Sequence, residues 1–175
     1  MAIRDFEDRL PDIHPTSYID DKALVIGNVT IGENCSIWPF TVIRGDVNSI
    51  KIGNNTNIQD NSVLHVTHDG PYNPGGFDLQ IGNDVTVGHR VILHGCHIGN
   101  NCLIGMGSTI MDGVVIETNT VIGAGSLVTP NKILEPGYLW LGSPTRKVRK
   151  LTDEEIKSIE YSAQQYLKLK SRHQS

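Results

Sequence analysis

An aliphatic residue recurs every six positions along most of this chain, and this period constrains the fold more than any other feature. A small or β-branched residue commonly stands four positions after the aliphatic one, and glycine often follows it directly. A six-residue period of one short strand and one turn is typical of a parallel β-helix, in which three repeats close one triangular coil. The sequence predicts a mainly β fold of about five coils, marked by the aliphatic positions Val25, Ile31, Ile37, Ile43, Ile52, Ile58, Leu64, Ile81, Val87, Leu93, Ile98, Ile104, Ile110, Ile116, Ile122 and Val128.

The ends of the chain depart from this period. Thr152 and Glu155 have the spacing of a capping box, and a helical pattern of apolar residues follows them. We therefore expect an amphipathic α-helix over residues 153–171. The whole chain is interpreted as one domain in three segments: a lead-in over 1–24, the β-helix over 25–142, and a C-terminal turn and α-helix over 143–175.

Two insertions interrupt the repeats. A short one lies around Asp46-Val47-Asn48, and a long one, residues 66–80, directly follows His65 and is rich in turn residues. Loops on a rigid scaffold often carry function. We therefore expect the 66–80 loop to hang over a site near His65.

Composition and charge narrow the classes of function. The formal net charge is -4 and the pI is about 5.9, whereas a nucleic-acid footprint would be basic. No apolar run is long enough to cross a bilayer, and the first residues lack the apolar stretch of a signal peptide. The three cysteines are widely spaced, and Cys35 and Cys102 stand at inward positions of their repeats. We expect buried thiols and a cytoplasmic protein.

Three histidines stand at fixed phases of the repeat. The residues that follow three stacked aliphatic positions should form one outward ladder, namely Arg44, His65 and His94. By the same count, His89 lies on a different face, in one ladder with Asp60. His65 and His94 can therefore share a ligand within one chain, whereas His89 should point away from them.

A neighbouring subunit that contributes its own His89 is the simplest way to unite the three histidines. Closed rotational symmetry is the usual form of homo-oligomers, and a triangular prism suits a homotrimer. Three neutral imidazoles with one open coordination position form the geometry of a catalytic zinc site. The hypothesis is zinc at the subunit interfaces, and the alternative is that each histidine is only a solvated turn residue.

Polar residues surround the expected site. Gln59 follows Ile58 and should point outward on the face of His89, where its amide can bond a substrate oxygen. Asp46 and Asp60 can pair with Arg44 across the subunit boundary, because planar arginine suits such carboxylate pairs. The two acids can instead orient the histidines, and a purely structural salt bridge is a further alternative.

These motifs resemble the gamma-class carbonic anhydrases. The resemblance spans roughly residues 12–150 and is strongest to the short bacterial branch, which is often labelled ferripyochelin-binding-like. It rests on Arg44-Gly-Asp46, Asn57-x-Gln59-Asp60, His65, Gly88-His89 and His94-Gly95. It implies a left-handed β-helix, a homotrimer, and zinc (or Fe²⁺ or Co²⁺) at the subunit interfaces.

The resemblance also implies roles for particular residues. His65 and His94 of one chain and His89 of the next would hold the metal. Gln59 and Asn57 would lie near the bound water and CO2, and Arg44 and Asp60 would pair at the interface. Archetypal members of the family carry an acidic loop with a glutamate proton shuttle after the first ligand. Residues 66–80 contain no glutamate and offer His68, Asp69, Tyr72 and Asp78 instead.

Three functions fit this pattern. The first is metal-hydroxide hydration of CO2 to bicarbonate, a lyase reaction, which we expect to be weak because the loop glutamate is missing. The second is acyl transfer from coenzyme A, which explains the repeats but not the three phased histidines. The third is a non-catalytic trimer that binds a metal or ligand. Cys96 is either an extra soft ligand or a buried turn thiol.

Overall fold

Short strands stacked in three ladders build the body of the molecule, which a computed structural model describes for residues 3–174. The strands are β1 Ile3–Arg4, β2 Asp12–Ile13, β3 Tyr18–Ile19, β4 Leu24–Ile31, β5 Ser36–Ile37, β6 Val42–Ile52, β7 Asn57–Ile58, β8 Val63–His65, β9 Leu79–Ile81, β10 Thr86–Val87, β11 Ile92–His94, β12 His97–Ile98, β13 Leu103–Ile104, β14 Thr109–Ile110, β15 Val115–Ile116, β16 Val121–Ile122, β17 Leu127–Val128, β18 Ile133–Leu134, β19 Tyr138–Gly142 and β20 Thr145–Lys150. One helix, α1, spans Asp153–His173.

The ladders are parallel and join along the long strand β6. One end of β6 starts the ladder β8, β11, β14 and β17, and its other end starts the ladder β9, β12, β15 and β18. The third ladder runs from β3 through β5, β7, β10, β13 and β16 to β19. The expected parallel β-helix with a C-terminal helix is therefore confirmed.

The core consists of the stacked aliphatic positions of the repeats. Ile43, Leu64, Leu93 and Ile110 lie above one another and are fully buried. Each such side chain contributes roughly 1.5–3 kcal/mol when removed from water. The three cysteines are free and buried inside the coils, as expected for Cys35 and Cys102.

The N-terminal lead-in contains regular strands although it departs from the six-residue period. From Ile3 onward it makes three short strands, and β1 pairs in parallel with β4, as β2 does. β3 pairs with β5 in the third ladder. These strands form a first coil, although Pro11 and Pro15 interrupt any recognisable repeat.

The C-terminal helix packs against the third ladder. Thr152 and Glu155 form the expected capping box, and α1 runs two residues beyond the predicted end at 171. Ile159 and Ala163, on the inner face of the helix, are buried. An antiparallel hairpin of β19 and β20 precedes it. Within residues 3–174, no helix is both long and apolar enough to cross a membrane.

Candidate metal centre

His65 and His94 lie side by side on the outside of the first ladder. They are paired residues of β8 and β11, each directly after a buried leucine, so strand alternation turns both outward. Nδ1 of His65 lies 3.0 Å from Nε2 of His94. The structure thus brings together two of the three expected metal ligands.

A carboxylate holds the other ring nitrogen of each histidine. Nε2 of His65 lies 3.0 Å from Oδ1 of Asp46, and Nδ1 of His94 lies 2.7 Å from Oδ1 of Asp112. The hydroxyl of Thr67 donates to Oδ2 of Asp112 at 3.0 Å. The 66–80 loop therefore reaches this site through Thr67, its second residue, which contacts Asp112.

Hydrogen bonds and a neighbouring charge favour the ionised Asp46, and burial favours the neutral His65. Burial raises the pKa of Asp46, but the hydrogen bond from His65 and the guanidinium of Arg44 outweigh it and hold this pKa below its usual value. Burial lowers the pKa of His65, Asp46 opposes this effect, and Arg44 and His94 add to it. Neutral imidazole is the form that binds a metal.

His89 lies on the third ladder, away from the histidine pair. It follows β10, and its Nδ1 is 2.9 Å from Oδ2 of Asp60. A groove of about 420 Å³ runs between this face and α1, and its lining includes His89, Gln59, Met106 and Tyr166. Burial, followed by the charge of Asp60, raises the pKa of Tyr166.

Gln59 and Asn57 form a buried amide network on the same face as His89. Nε2 of Gln59 donates to Oδ1 of Asn57 at 3.2 Å, and Nδ2 of Asn57 donates to Oγ1 of Thr86 at 2.9 Å. Both residues are more than nine-tenths buried. Their amides are thereby fixed in position beside the groove.

Arg44 pairs with Asp46 inside the chain. Asp60 contacts His89 rather than Arg44 within the subunit. Both acids therefore hold a histidine, which is the orienting role that we considered for them. The Arg44–Asp60 pair implied by the resemblance is a contact between subunits and stays a prediction.

The donor set fits a divalent metal. A tetrahedral ion with bonds of about 2.0–2.1 Å places its ligand nitrogens about 3.3 Å apart, close to the spacing of the histidine pair. Carboxylates that hold the second nitrogen of each ring are typical partners of metal-ligating histidines. No group of three His, Cys, Asp or Glu residues within 3–174 of one chain could hold a metal ion.

Our sequence interpretation missed Asp112. It stands two residues after Ile110, whereas the next member of the His65–His94 ladder by count is Met111, so the period alone does not identify Asp112. Cys96 is fully buried, and burial raises the pKa of its thiol. It is thus a buried turn thiol and does not reach the outward histidines.

Comparisons with known proteins agree on the family. The model of the family described as "Bacterial transferase hexapeptide (six repeats)" matches residues 11–45, 78–110 and 95–130. The chain is 55% identical to "Protein YrdA" of Escherichia coli over 98% of this chain and 94% of that protein. It is 46% identical to a "Carbonic anhydrase" of Geobacillus kaustophilus over 93% of this chain and 85% of that protein.

A solved structure has the same fold over nearly its whole length. The crystal structure of a "hexapeptide transferase family protein" from Anaplasma phagocytophilum superposes with a TM-score of 0.88 at 43% identity. The match covers 96% of this chain and 95% of that one.

Proposed function

The chain belongs to the hexapeptide-repeat family, in its gamma carbonic anhydrase-like branch, and from this premise we propose that it is a metal-dependent enzyme that hydrates CO2 to bicarbonate. The observation that carries the proposal is the histidine pair. His65 and His94 face each other at 3.0 Å with their remaining nitrogens held by Asp46 and Asp112. We propose zinc as the metal, with Fe²⁺ or Co²⁺ as substitutes, and a cytoplasmic location.

The third ligand in this proposal is His89 of a neighbouring subunit. Within the described residues 3–174, one chain brings two histidines together at the site, and His89 is exposed on another face. Exposed apolar side chains lie near the histidine pair and near His89. Val63 and Ile92 are 40% and 42% exposed beside the pair, and Met106 is 60% exposed in the groove of His89. Burying these side chains between subunits favours association into a homotrimer.

The surrounding residues have positioning roles. A divalent metal, when bound, supplies a water whose pKa is lowered toward neutrality and hence a nucleophile for CO2. Asp46 and Asp60 orient His65 and His89, and Arg44 balances the charge of Asp46. Gln59, held by Asn57, presents an amide that can bond a substrate oxygen.

The experiment is a stopped-flow assay of CO2 hydration on protein loaded with zinc, iron or cobalt. We expect slow hydration that imidazole accelerates, because the 66–80 loop lacks a glutamate and a base from solution adds to the proton release that side chains provide. His94→Ala should abolish both the metal and the rate. Wild-type protein that carries one metal per chain and shows no hydration at high imidazole would refute the proposal.

Acyl transfer is the second candidate, favoured by the name of the family model and by the similar "hexapeptide transferase family protein". Calorimetry with acetyl coenzyme A tests it directly. Saturable binding of this compound by a metal-free protein would favour the transferase. Metal binding without turnover on either substrate would leave a binding trimer.

A further inference from the structure

Hydration of CO2 creates a proton that must leave the site. One CO2 and one water give one bicarbonate and one proton, so each turnover ends only when that proton reaches solvent. The 66–80 loop has no glutamate to carry it. The following inference rests on the proposed function and concerns the route of this proton.

An open cleft of about 420 Å³ begins beside Asp46, the residue that holds His65. One wall comes from the N-terminal segment and the other from β6 and the 66–80 loop. The cleft is lined by Phe6, Glu7, Arg9, Asp46, Val47, His68 and Asp69. It therefore joins the edge of the candidate metal centre to bulk solvent.

Strand register fixes the N-terminal segment at this place. Arg4 of β1 pairs with Ile26 of β4, and Ile26 pairs with Arg44 of β6. The residues after Arg4 are thus carried past the end of the coil that bears Arg44 and Asp46. This placement depends on backbone pairing and not on a flexible tail.

A tight turn presents Glu7 at the tip of that segment. Phe6 and Arg9 exchange two backbone hydrogen bonds of 3.1 Å, and the residues between them, Glu7 and Asp8, have φ values of 48° and 61°. Two positive φ values in a two-residue loop define a type I′ turn, which glycine or asparagine usually occupies. Glu7 lines the cleft, whereas Asp8 does not.

His68 enters the cleft from the opposite wall. The preceding residue is anchored twice: Nδ2 of Asn48 donates to the carbonyl of Thr67 at 3.1 Å, and Thr67 bridges to Phe77. The imidazole of His68 is exposed. Histidine is the side chain that exchanges protons most readily near neutral pH.

The other charged residues of the cleft are already engaged or unsuited. Asp46 accepts from His65 and Arg44, and Asp69 accepts the backbone N–H of Gly75 at 2.7 Å. Arginine does not release its proton at neutral pH, which excludes Arg9.

Two proton carriers remain. Within residues 3–174, no hydrogen bond or ion pair engages the side chain of Glu7 or His68. We propose that this cleft is the proton exit of the metal site, with His68 as the first proton-transfer residue and Glu7 as the second. The proton moves through solvent in the cleft to the imidazole, then to the carboxylate, and finally to buffer.

The first test does not depend on catalysis. The ring ¹H–¹⁵N resonances of His68 are recorded by NMR at one pH in the full-length metal-free protein and in Glu7→Gln. Replacement of the Glu7 carboxylate should shift these resonances, because both residues line the same cleft. Asp8→Asn, in the same turn but outside the cleft, is the matched control. His68 resonances that are the same in Glu7→Gln, Asp8→Asn and the wild type would overturn the proposal.

The second test separates chemistry from proton release. Exchange of ¹⁸O between CO2 and water on the zinc-loaded protein gives the rate of CO2–bicarbonate interconversion and, separately, the release of labelled water, which needs a proton. His68→Ala should slow water release on the order of 100-fold. Glu7→Gln should slow it as well, interconversion should be unchanged, and imidazole should restore both variants.

The outcomes distinguish the two levels of inference. Wild-type protein without any exchange would overturn the proposed function and this assignment with it. Normal exchange with unchanged water release in His68→Ala and Glu7→Gln would overturn the proton route alone. If Glu7→Asp releases labelled water at the wild-type rate while Glu7→Gln does not, the carboxylate acts in proton transfer and not only in the structure of the turn.

Discussion

Asp112 is the residue whose position most sharpens the candidate site. Its Oδ1 lies 2.7 Å from His94, and its Oδ2 accepts from Thr67 of the 66–80 loop. A carboxylate in this place fixes the ring orientation and raises the basicity of a ligating histidine. We expect Asp112→Asn to weaken zinc binding by about 10–100-fold, measured by competition with a chromophoric chelator.

The chain provides a matched control for this change. Asp78 holds His97 at 2.8 Å in a similar carboxylate–histidine pair, but on another ladder. Asp78→Asn should leave the zinc affinity unchanged. Equal affinities of Asp112→Asn and the wild type would show that His94 needs no carboxylate to bind the metal.

The cysteines allow a second prediction at this scale. All three are inaccessible, and burial raises the pKa of Cys35 to about 11 and that of Cys102 to about 12. We expect no reaction of the native protein with Ellman's reagent at pH 8, and reaction of all three thiols in guanidinium chloride. Tyr72→Cys, at a position that is 93% exposed, is the positive control. Rapid labelling of the native wild type would show that a coil opens.

Residue positions were predictable where the repeat fixes them. The facing of His65 and His94 follows from counting, since strands that stack in register bring equivalent positions together. The pairing of Asp46 with His65 depends on the insertion in β6, which the period does not describe. The cleft beside Glu7 was not predictable, because the N-terminal turn lies outside the repeat.

At the scale of secondary-structure elements, Glu155 of α1 binds Arg149 of β20 and so links the helix to the last strand. Its carboxylate accepts two bonds of 2.8 Å from Arg149 and one of 2.9 Å from the N–H of Thr152. These contacts, Arg149 first, lower its pKa to about 2. Because the folded pKa lies below the unfolded value, this stabilisation is present above about pH 4.3 and is lost as the pH falls toward 2.

Glu155→Gln should therefore lower the urea midpoint at pH 5 and approach the wild type near pH 2. Urea titrations followed by circular dichroism across this range measure the difference. Glu154→Gln, in the same first turn but without these partners, should show no such convergence. A gap between Glu155→Gln and wild type that does not change with pH would contradict the carboxylate's role.

Elements were predictable to different degrees. The capping box located the start of α1 because its chemistry is local, while its end at His173 has no comparable signal. The strands of the repeats followed from their period. β1, β2 and β3 did not, because two-residue strands without a repeat acquire their structure only by pairing with β4 and β5.

At the scale of the whole molecule, the proposed metal site needs a third ligand from a neighbouring subunit. His89 lies on a different ladder from His65 and His94, so an interface site and a site within one chain predict different results when variants are mixed. His89→Ala and the double variant His65→Ala/His94→Ala should each bind no zinc as homotrimers. Co-expressed with different tags and purified through both, they form trimers in which only one interface joins an intact histidine pair to an intact His89. Such mixed trimers should recover about one third of the wild-type zinc per chain, measured by elemental analysis.

A cyclic arrangement requires this fraction of zinc, because each interface takes its histidine pair from one chain and its His89 from the next. Tags exchanged between the variants are the control. Full zinc content in the His89→Ala homotrimer, or a metal-loaded monomer in light scattering, would contradict the interface site.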